Sequence, residues 1–143
     1  MGHDGVPSPP VWPEKFHALL IQNRTGNLAV VDLWYDFPGG RNLNIIQSQG
    51  GEEDGPLWDN ERQNGSTYYY TPATRECNVI DMEVGLLRPD WLSGATYLGE
   101  ERVGMYSCHK WEDGDFITYW NDKYTGRPVR WTFFDGADFH VRV

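Results

Sequence analysis

The chain is poor in cysteine, histidine and positive charge. Among 143 residues only two are cysteine and four are histidine. Two cysteines exclude a dense disulfide scaffold and a multi-thiolate zinc ribbon. His3, His17, His109 and His140 show neither H-x-H nor H-x-x-x-H spacing, so no metal motif is expected. Lysine and arginine number 12 against 21 aspartates and glutamates, a net charge of −9. That balance argues against a nucleic-acid partner, which needs a basic face to displace counterions, and against docking on an anionic membrane. Apolar runs are short. Ala18-Leu19-Leu20-Ile21 is among the longest, well below the roughly 18–20 residues of a helical membrane span. None of the serines, Ser8, Ser48, Ser66, Ser93 and Ser107, lies in G-x-S-x-G. P-loop and dinucleotide fingerprints are absent, so no nucleotide cofactor is expected.

Large rings are what the chain has. Aromatics make up 15% of it, with Trp 7, Tyr 8 and Phe 6, although the mean hydropathy is −0.62. A disordered chain has few rings, so this one folds. Gly 16 and Pro 9 punctuate it often, which suits short strands joined by turns. The length fits one domain. Residues 1–10, with Pro7, Pro9 and Pro10, read as a flexible leader, and 11–143 as a single domain.

Glu14 to Asn23 reads as a strand, with a short helix as the alternative because its alternation is imperfect, and Thr25-Gly26-Asn27 reads as a turn. In the strand Leu28 to Phe37, period two puts Leu28, Val30, Asp32, Trp34 and Asp36 on one face. Ala29, Val31, Leu33 and Tyr35 take the other. Pro38-Gly39-Gly40 returns the chain into Arg41 to Ser48 as a hairpin partner. Gln49 to Gly65, Gly-rich and acidic with Glu52, Glu53, Asp54, Asp59 and Glu61, reads as a solvated surface loop anchored by Trp58. Its stretch Gly50 to Gly55 lacks the alternating ligand order of a calcium loop. Thr67 to Thr71 is a short strand with Tyr68 and Tyr70 on one face, and Cys77 to Met82 is another. One helical turn is expected after Pro89, with Trp91 and Leu92 pinning it to the sheet before Gly94 ends it. Val103 to Trp111, Phe116 to Trp120, Val129 to Phe134 and Phe139 to Val143 read as strands. The class is therefore mainly β, α+β at most: an antiparallel meander curved to bury its rings on one side.

Two sequons, Asn23-Arg24-Thr25 and Asn64-Gly65-Ser66, mark Asn23 and Asn64 as glycosylation acceptors. With Cys77 and Cys108 they point to a secreted chain holding one disulfide, although no signal peptide stands in the first residues. The alternative is a pair of buried, reduced thiols in a cytosolic protein.

Several blocks together carry a resemblance: Pro10-Val11-Trp12-Pro13-Glu14-Lys15-Phe16-His17, Gly26-Asn27-Leu28, Asp32-Leu33-Trp34-Tyr35-Asp36, Gly40 to Gln47, Glu83 to Leu92, and Arg127-Pro128-Val129-Arg130-Trp131. On these blocks the chain resembles a plant and algal family of uncharacterised small secretory-pathway proteins, commonly labelled "transferring glycosyl groups". At this length there is no room for a nucleotide-sugar domain. More loosely, the layout resembles ependymin-related proteins and lipoprotein carriers of the LolA type. That likeness implies a strongly curved antiparallel half-barrel closed by short helices, which holds acyl chains or other amphipathic molecules on its concave side.

Asp32, Trp34 and Asp36 share a strand face, and Arg41 begins the facing strand, so the row would line a cavity in a curved sheet. Asp32, desolvated among indoles, would be an acid or base. The plainer reading is a structural Asp36–Arg41 pair across the hairpin. His17, among apolar neighbours, reads as a core histidine. His109 could pair with a carboxylate such as Asp115. Cys108 precedes it, but adjacent strand residues point to opposite faces, which separates thiol from base. Trp34, Tyr68, Tyr70, Trp111, Tyr119, Trp120 and Trp131 would pave the hollow, or simply fill the space beneath the closing helix. The function expected is non-catalytic binding of an amphipathic or aromatic small molecule, lipid-like or a specialised metabolite. The alternative is a small isomerase, cyclase or hydrolase that uses Asp32 with His109 or His17 in the same cavity. A structural or adhesive surface protein is a third.

Overall fold

A computed structural model describes residues 6–48, 55–81 and 85–142. Eleven strands form one curved antiparallel sheet that does not close. They are β1 (Lys15–Arg24), β2 (Asn27–Asp36), β3 (Arg41–Ser48), β4 (Leu57–Arg62), β5 (Ser66–Thr71), β6 (Glu76–Asp81), β7 (Thr96–Val103), β8 (Tyr106–Asp113), β9 (Ile117–Asp122), β10 (Pro128–Phe133) and β11 (Ala137–Arg142).

The strand order is β6-β5-β4-β3-β2-β1-β11-β10-β9-β8-β7. Two meanders therefore meet where β1 pairs with β11, with Leu20 opposite Val141 and Gln22 opposite Phe139. Edges β6 and β7 lie at opposite ends of the sheet, and the described residues 85–95 ahead of β7 run across its hollow. In the described part of this crossing segment, Leu86 and Leu92 are buried against the inner face.

Alternation decides which side chains meet there. Phe16, Leu20, Val31, Leu33, Tyr35, Trp111, Ile117, Tyr119 and Trp131 point inward, and Trp12 enters from the N-terminal side. Trp12 is the hub. Its ring lies 5.2 Å from Phe16, 5.3 Å from Tyr35, 5.6 Å from Trp91 and 5.8 Å from Trp131, mostly edge to face. Each such pair adds about 0.5–1.5 kcal/mol beyond area burial. Its indole N–H donates to the Tyr119 hydroxyl at 3.0 Å, and its backbone N–H to the Pro89 carbonyl at 2.9 Å. One residue thus ties the N-terminal segment to both the sheet and the crossing segment.

The expected short helix is not found among the described residues. Trp91, Ser93 and Ala95 donate to the carbonyls of Arg88, Asp90 and Leu92, three residues back, which makes successive turns. Gly94 follows too soon for a costly helix nucleus to propagate. The loop expected over residues 49–65 contains a strand, β4, which pairs on both sides, Ile45 with Trp58 and Trp58 with Tyr70. Residues 49–54, including Glu52, Glu53, Asp54 and most of the Gly50–Gly55 stretch, lie outside the described residues, as do Met82 and Val143. The expected strand Val103 to Trp111 is a hairpin instead: Gly104, at φ 58°, and Met105 turn β7 into β8. Glycine reaches that left-handed conformation without steric cost.

The expected disulfide is corrected. Cys77 is exposed on β6 at one edge of the sheet, whereas Cys108 is 0% exposed on β8, beside the other edge. Both thiols are free, because nearly the whole sheet separates their strands and a bridge needs Cα atoms within about 7 Å.

Candidate functional site

The hollow is only partly filled. A cavity of about 590 Å³ opens on the concave face over β1–β5 and reaches across to β10 and β11. Leu20, Val31, Leu33 and Ile46 form its aliphatic floor, Phe133, Phe139 and Trp131 its ring wall, and Trp12, Leu86 and Leu87 its roof.

Its other end is polar because the inward positions of β3, β4 and β5 are polar. The antiparallel register lays down two rows. Leu33, Asn44, Asp59 and Tyr69 stand side by side, as do Tyr35, Asn42, Glu61 and Thr67. Asp59 and Glu61 are two apart on one strand, so both carboxyls enter the hollow together. Asn44 Nδ2 donates to Glu61 Oε2 at 3.4 Å. Burial pushes both carboxyls up from their ordinary values. Glu61 is raised further by the negative charge of Asp59 and by their mutual hydrogen bond, which lowers Asp59. Two buried carboxyls this close resist losing both protons, so the pair ionises less readily than lone carboxylates do. The Tyr69 hydroxyl is raised by burial and then by the two acids. Among the described residues, Asn42 Oδ1 and Asp59 Oδ1 are buried without a hydrogen-bond partner. Gln63, just past β4, accepts from the Leu86 N–H at 3.0 Å and fastens the crossing segment over this end.

Chemically, such an end accepts hydrogen bonds, attracts positive charge and can hold or release a proton. Among the described residues no group of three or more His, Cys, Asp and Glu is placed to hold a metal ion.

The row expected to line the cavity faces the other way. Trp34, 48% exposed, stacks on His17 at 3.9 Å on the convex face, and His17 hydrogen-bonds Asp32 beside it. The physical reason is that the aliphatic set Ala29, Val31 and Leu33, with Tyr35, buries more apolar surface than the mixed set and so takes the core side. Asp36 and Arg41 are also convex. Asp36 accepts from the Gly39 N–H at 2.9 Å and lies 3.5 Å from Arg41 Nε, a hairpin device rather than a cavity wall. The Gly39 amide, ahead of Lys15 and Arg41, holds its carboxyl below the ordinary range. A Cβ on Gly39 would fall 2.2 Å from Asp36 Oδ2, so a larger residue there would displace the Asp36 carboxylate from the turn.

Tyr68 and Tyr70 are convex as well, under Arg62 and against Trp58 respectively. Trp120 is buried in a second cluster with Cys108 and Val129 on that outer side, under Arg130 at 4.6 Å and Lys110 at 5.5 Å. Trp111 and Tyr119 do face inward, but inside packed core: the Trp111 indole donates to Asn121 at 3.0 Å, and burial raises the Tyr119 hydroxyl. His109 Nδ1 lies 2.9 Å from the Tyr97 hydroxyl, with no bond to Asp115. Of the expected ligand-binding set, Trp131 lines the cavity. The sequons fall on hairpin ends, where Asn23 Oδ1 accepts from Gly26 and Asn64 Oδ1 from Ser66.

Sequence reasoning does not single out Asn42, Asn44, Asp59, Glu61 and Tyr69 as site residues. Asn42-Leu43-Asn44-Ile45 alternates, whereas Trp58 is followed by three polar residues, Asp59-Asn60-Glu61, and carries no alternation signal. Polarity in such a pattern ordinarily marks solvent, whereas here it faces the hollow.

Comparison with known proteins places the chain at family level. The model of a family described as a domain of unknown function, DUF8395, matches residues 11–143. The chain belongs to the DUF8395 family. No curated protein matches it. Among solved structures, the DUF8395 chain is similar to an uncharacterized conserved protein from Thermus thermophilus. The two share 15% identity over 94% of this chain and 76% of that one, with a TM-score of 0.57. That likeness is one of fold. A DUF1329 family protein from Desulfovibrio piger aligns at 14% identity over 82% of this chain and 63% of that one, with a TM-score of 0.41.

Proposed function

We propose that this DUF8395 domain is a non-catalytic, LolA-like binding domain that holds an amphipathic small molecule in its concave cavity. One observation carries the reading: the cavity of about 590 Å³ is apolar on one side and hydrogen-bonding at one end. An elongated molecule with an apolar body and a polar head matches that division, since apolar area supplies affinity and a few polar groups fix orientation. Export through the secretory pathway, with glycans on Asn23 and Asn64, belongs to the same reading. It rests on the sequons and on the resemblance to plant secretory-pathway proteins, without support from the cysteines.

The test fills the cavity. Ile46→Trp, from the floor, is expected to abolish the thermal shift produced by medium-chain amphiphiles while leaving a cooperative unfolding transition. Trp34→Ala, on the convex face, is expected to keep the shift. Binding retained in Ile46→Trp and lost in Trp34→Ala would contradict the reading.

The carboxyl pair favours one second reading. Two buried acids this close are an acid/base device, so the hydrolase or isomerase alternative transfers from Asp32 to Asp59 and Glu61. In that case Glu61→Gln loses turnover and keeps binding.

A further inference from the structure

The polar end of the cavity is unbalanced in its hydrogen bonding. It offers Asp59, Glu61 and the amide oxygen of Asn42 as acceptors, and two of these oxygens are buried without a partner among the described residues. Of its donors, Asn44 Nδ2 is spent on Glu61, and the others in the lining, the Tyr69 hydroxyl and the Gln22 and Asn42 amides, carry no positive charge. Arg24 also lines the cavity, but its guanidinium pairs with Asp135 at 3.0 Å. A buried acceptor without a donor is costly. The end is negative whenever either carboxyl is ionised, and among the described cavity residues no free cation stands beside it.

The head that corrects both defects is a single ammonium. It brings one positive charge and three N–H donors on one atom. A hydroxyl head brings one donor and no charge. A carboxylate head brings further acceptors and a repelling charge.

We propose that the cavity selects amphiphiles with a primary ammonium head, which donates to Asp59, Glu61 and Asn42 while the apolar tail lies on Leu33 and the ring wall. This inference rests on the cavity being a binding site, and it names the ligand class of that site. No bond is made or broken.

The test is a matched panel on the intact protein. Octylamine, octanol and octanoate share a tail and differ in head, and their affinities are read at pH 7 by titration calorimetry. Octylamine is expected to bind about tenfold or more tighter than octanol, the effect of hydrogen bonds to a charged partner, and octanoate weakest of the three. Asp59→Asn combined with Glu61→Gln keeps side-chain volume and should level octylamine with octanol. Octanoate binding as tightly as octylamine, or octylamine affinity unchanged in the double variant, would overturn the ammonium assignment while the cavity remains a binding site. If none of the three binds and Ile46→Trp changes nothing, the binding reading itself falls. Should the double variant fail to fold, the ranking of the three heads on the unaltered protein still decides.

Discussion

The two halves of the sheet solve the same problem in opposite ways. In the β8–β11 half, inward positions carry Trp111, Tyr119, Ile117 and Trp131, packed to 2%, 0%, 3% and 6% exposure. In the β3–β5 half, inward positions carry amides and acids around empty volume, while Leu43, Ile45, Trp58 and Tyr68 face outward. A core built for stability would not place acids inward and tryptophan outward. The ring half holds the fold, and the polar half is kept open at a cost in stability that the proposed binding site would explain.

Substitutions separate the halves by the size and sign of their effect. Trp12→Ala strikes the ring half at its hub and is expected to cost roughly 3–5 kcal/mol in urea unfolding, the largest loss of the set. A cost below about 1 kcal/mol would mean that the N-terminal segment is not part of the core.

In the polar half the sign reverses. Glu61 is raised by burial and by Asp59, so between about pH 4 and pH 7 the folded chain binds more protons than the unfolded one. Stability should therefore fall as pH rises through that window. Glu61→Gln should remove much of the slope and stabilise the unliganded protein at pH 8, by on the order of 1–2 kcal/mol. Asp36, Asp122, Asp135 and Asp138 are held below the ordinary carboxylate range and act oppositely, losing stability as pH falls below about 4. The expected result is a maximum near pH 5 in a plot of unfolding free energy against pH. A profile still rising from pH 5 to pH 8 would contradict the buried acid pair.

Smaller effects sharpen the contrast between faces. Trp34→Ala removes a stack on His17 from a solvent-facing position and should change stability by less than about 0.5 kcal/mol. Thiol titration should find Cys77 reactive in the native protein and Cys108 only after unfolding, with no change in melting temperature on adding reductant.

Much of this fold is legible in local pattern. The alternation of Leu28 to Asp36 assigns both faces of β2, and the Pro38-Gly39-Gly40 turn assigns its partner. Periodicity, however, separates two faces without saying which is inside. Asp32 and Trp34 together suggest a site, yet Val31 and Leu33 are the better indicators of the interior. β4 is hidden in the sequence because its inward residues are acids, which normally mark solvent. The expected disulfide fails on strand order: β1 pairs with β11 across more than a hundred residues, and no local signal reveals that this pairing drives Cys77 and Cys108 to opposite ends of the sheet. The turns after Pro89 sit against the core through Leu92, as the sequence suggests, but they do not become a helix.

Photolabelling identifies the binding face most directly. An alkylamine with a diazirine in its tail can be activated on the protein and its adducts mapped by peptide sequencing. Adducts are expected on Leu33, Ile46 and the Leu86-Leu87 stretch, competed by unlabelled octylamine. Adducts confined to Trp34, Trp58 and Tyr68 would contradict a concave binding site.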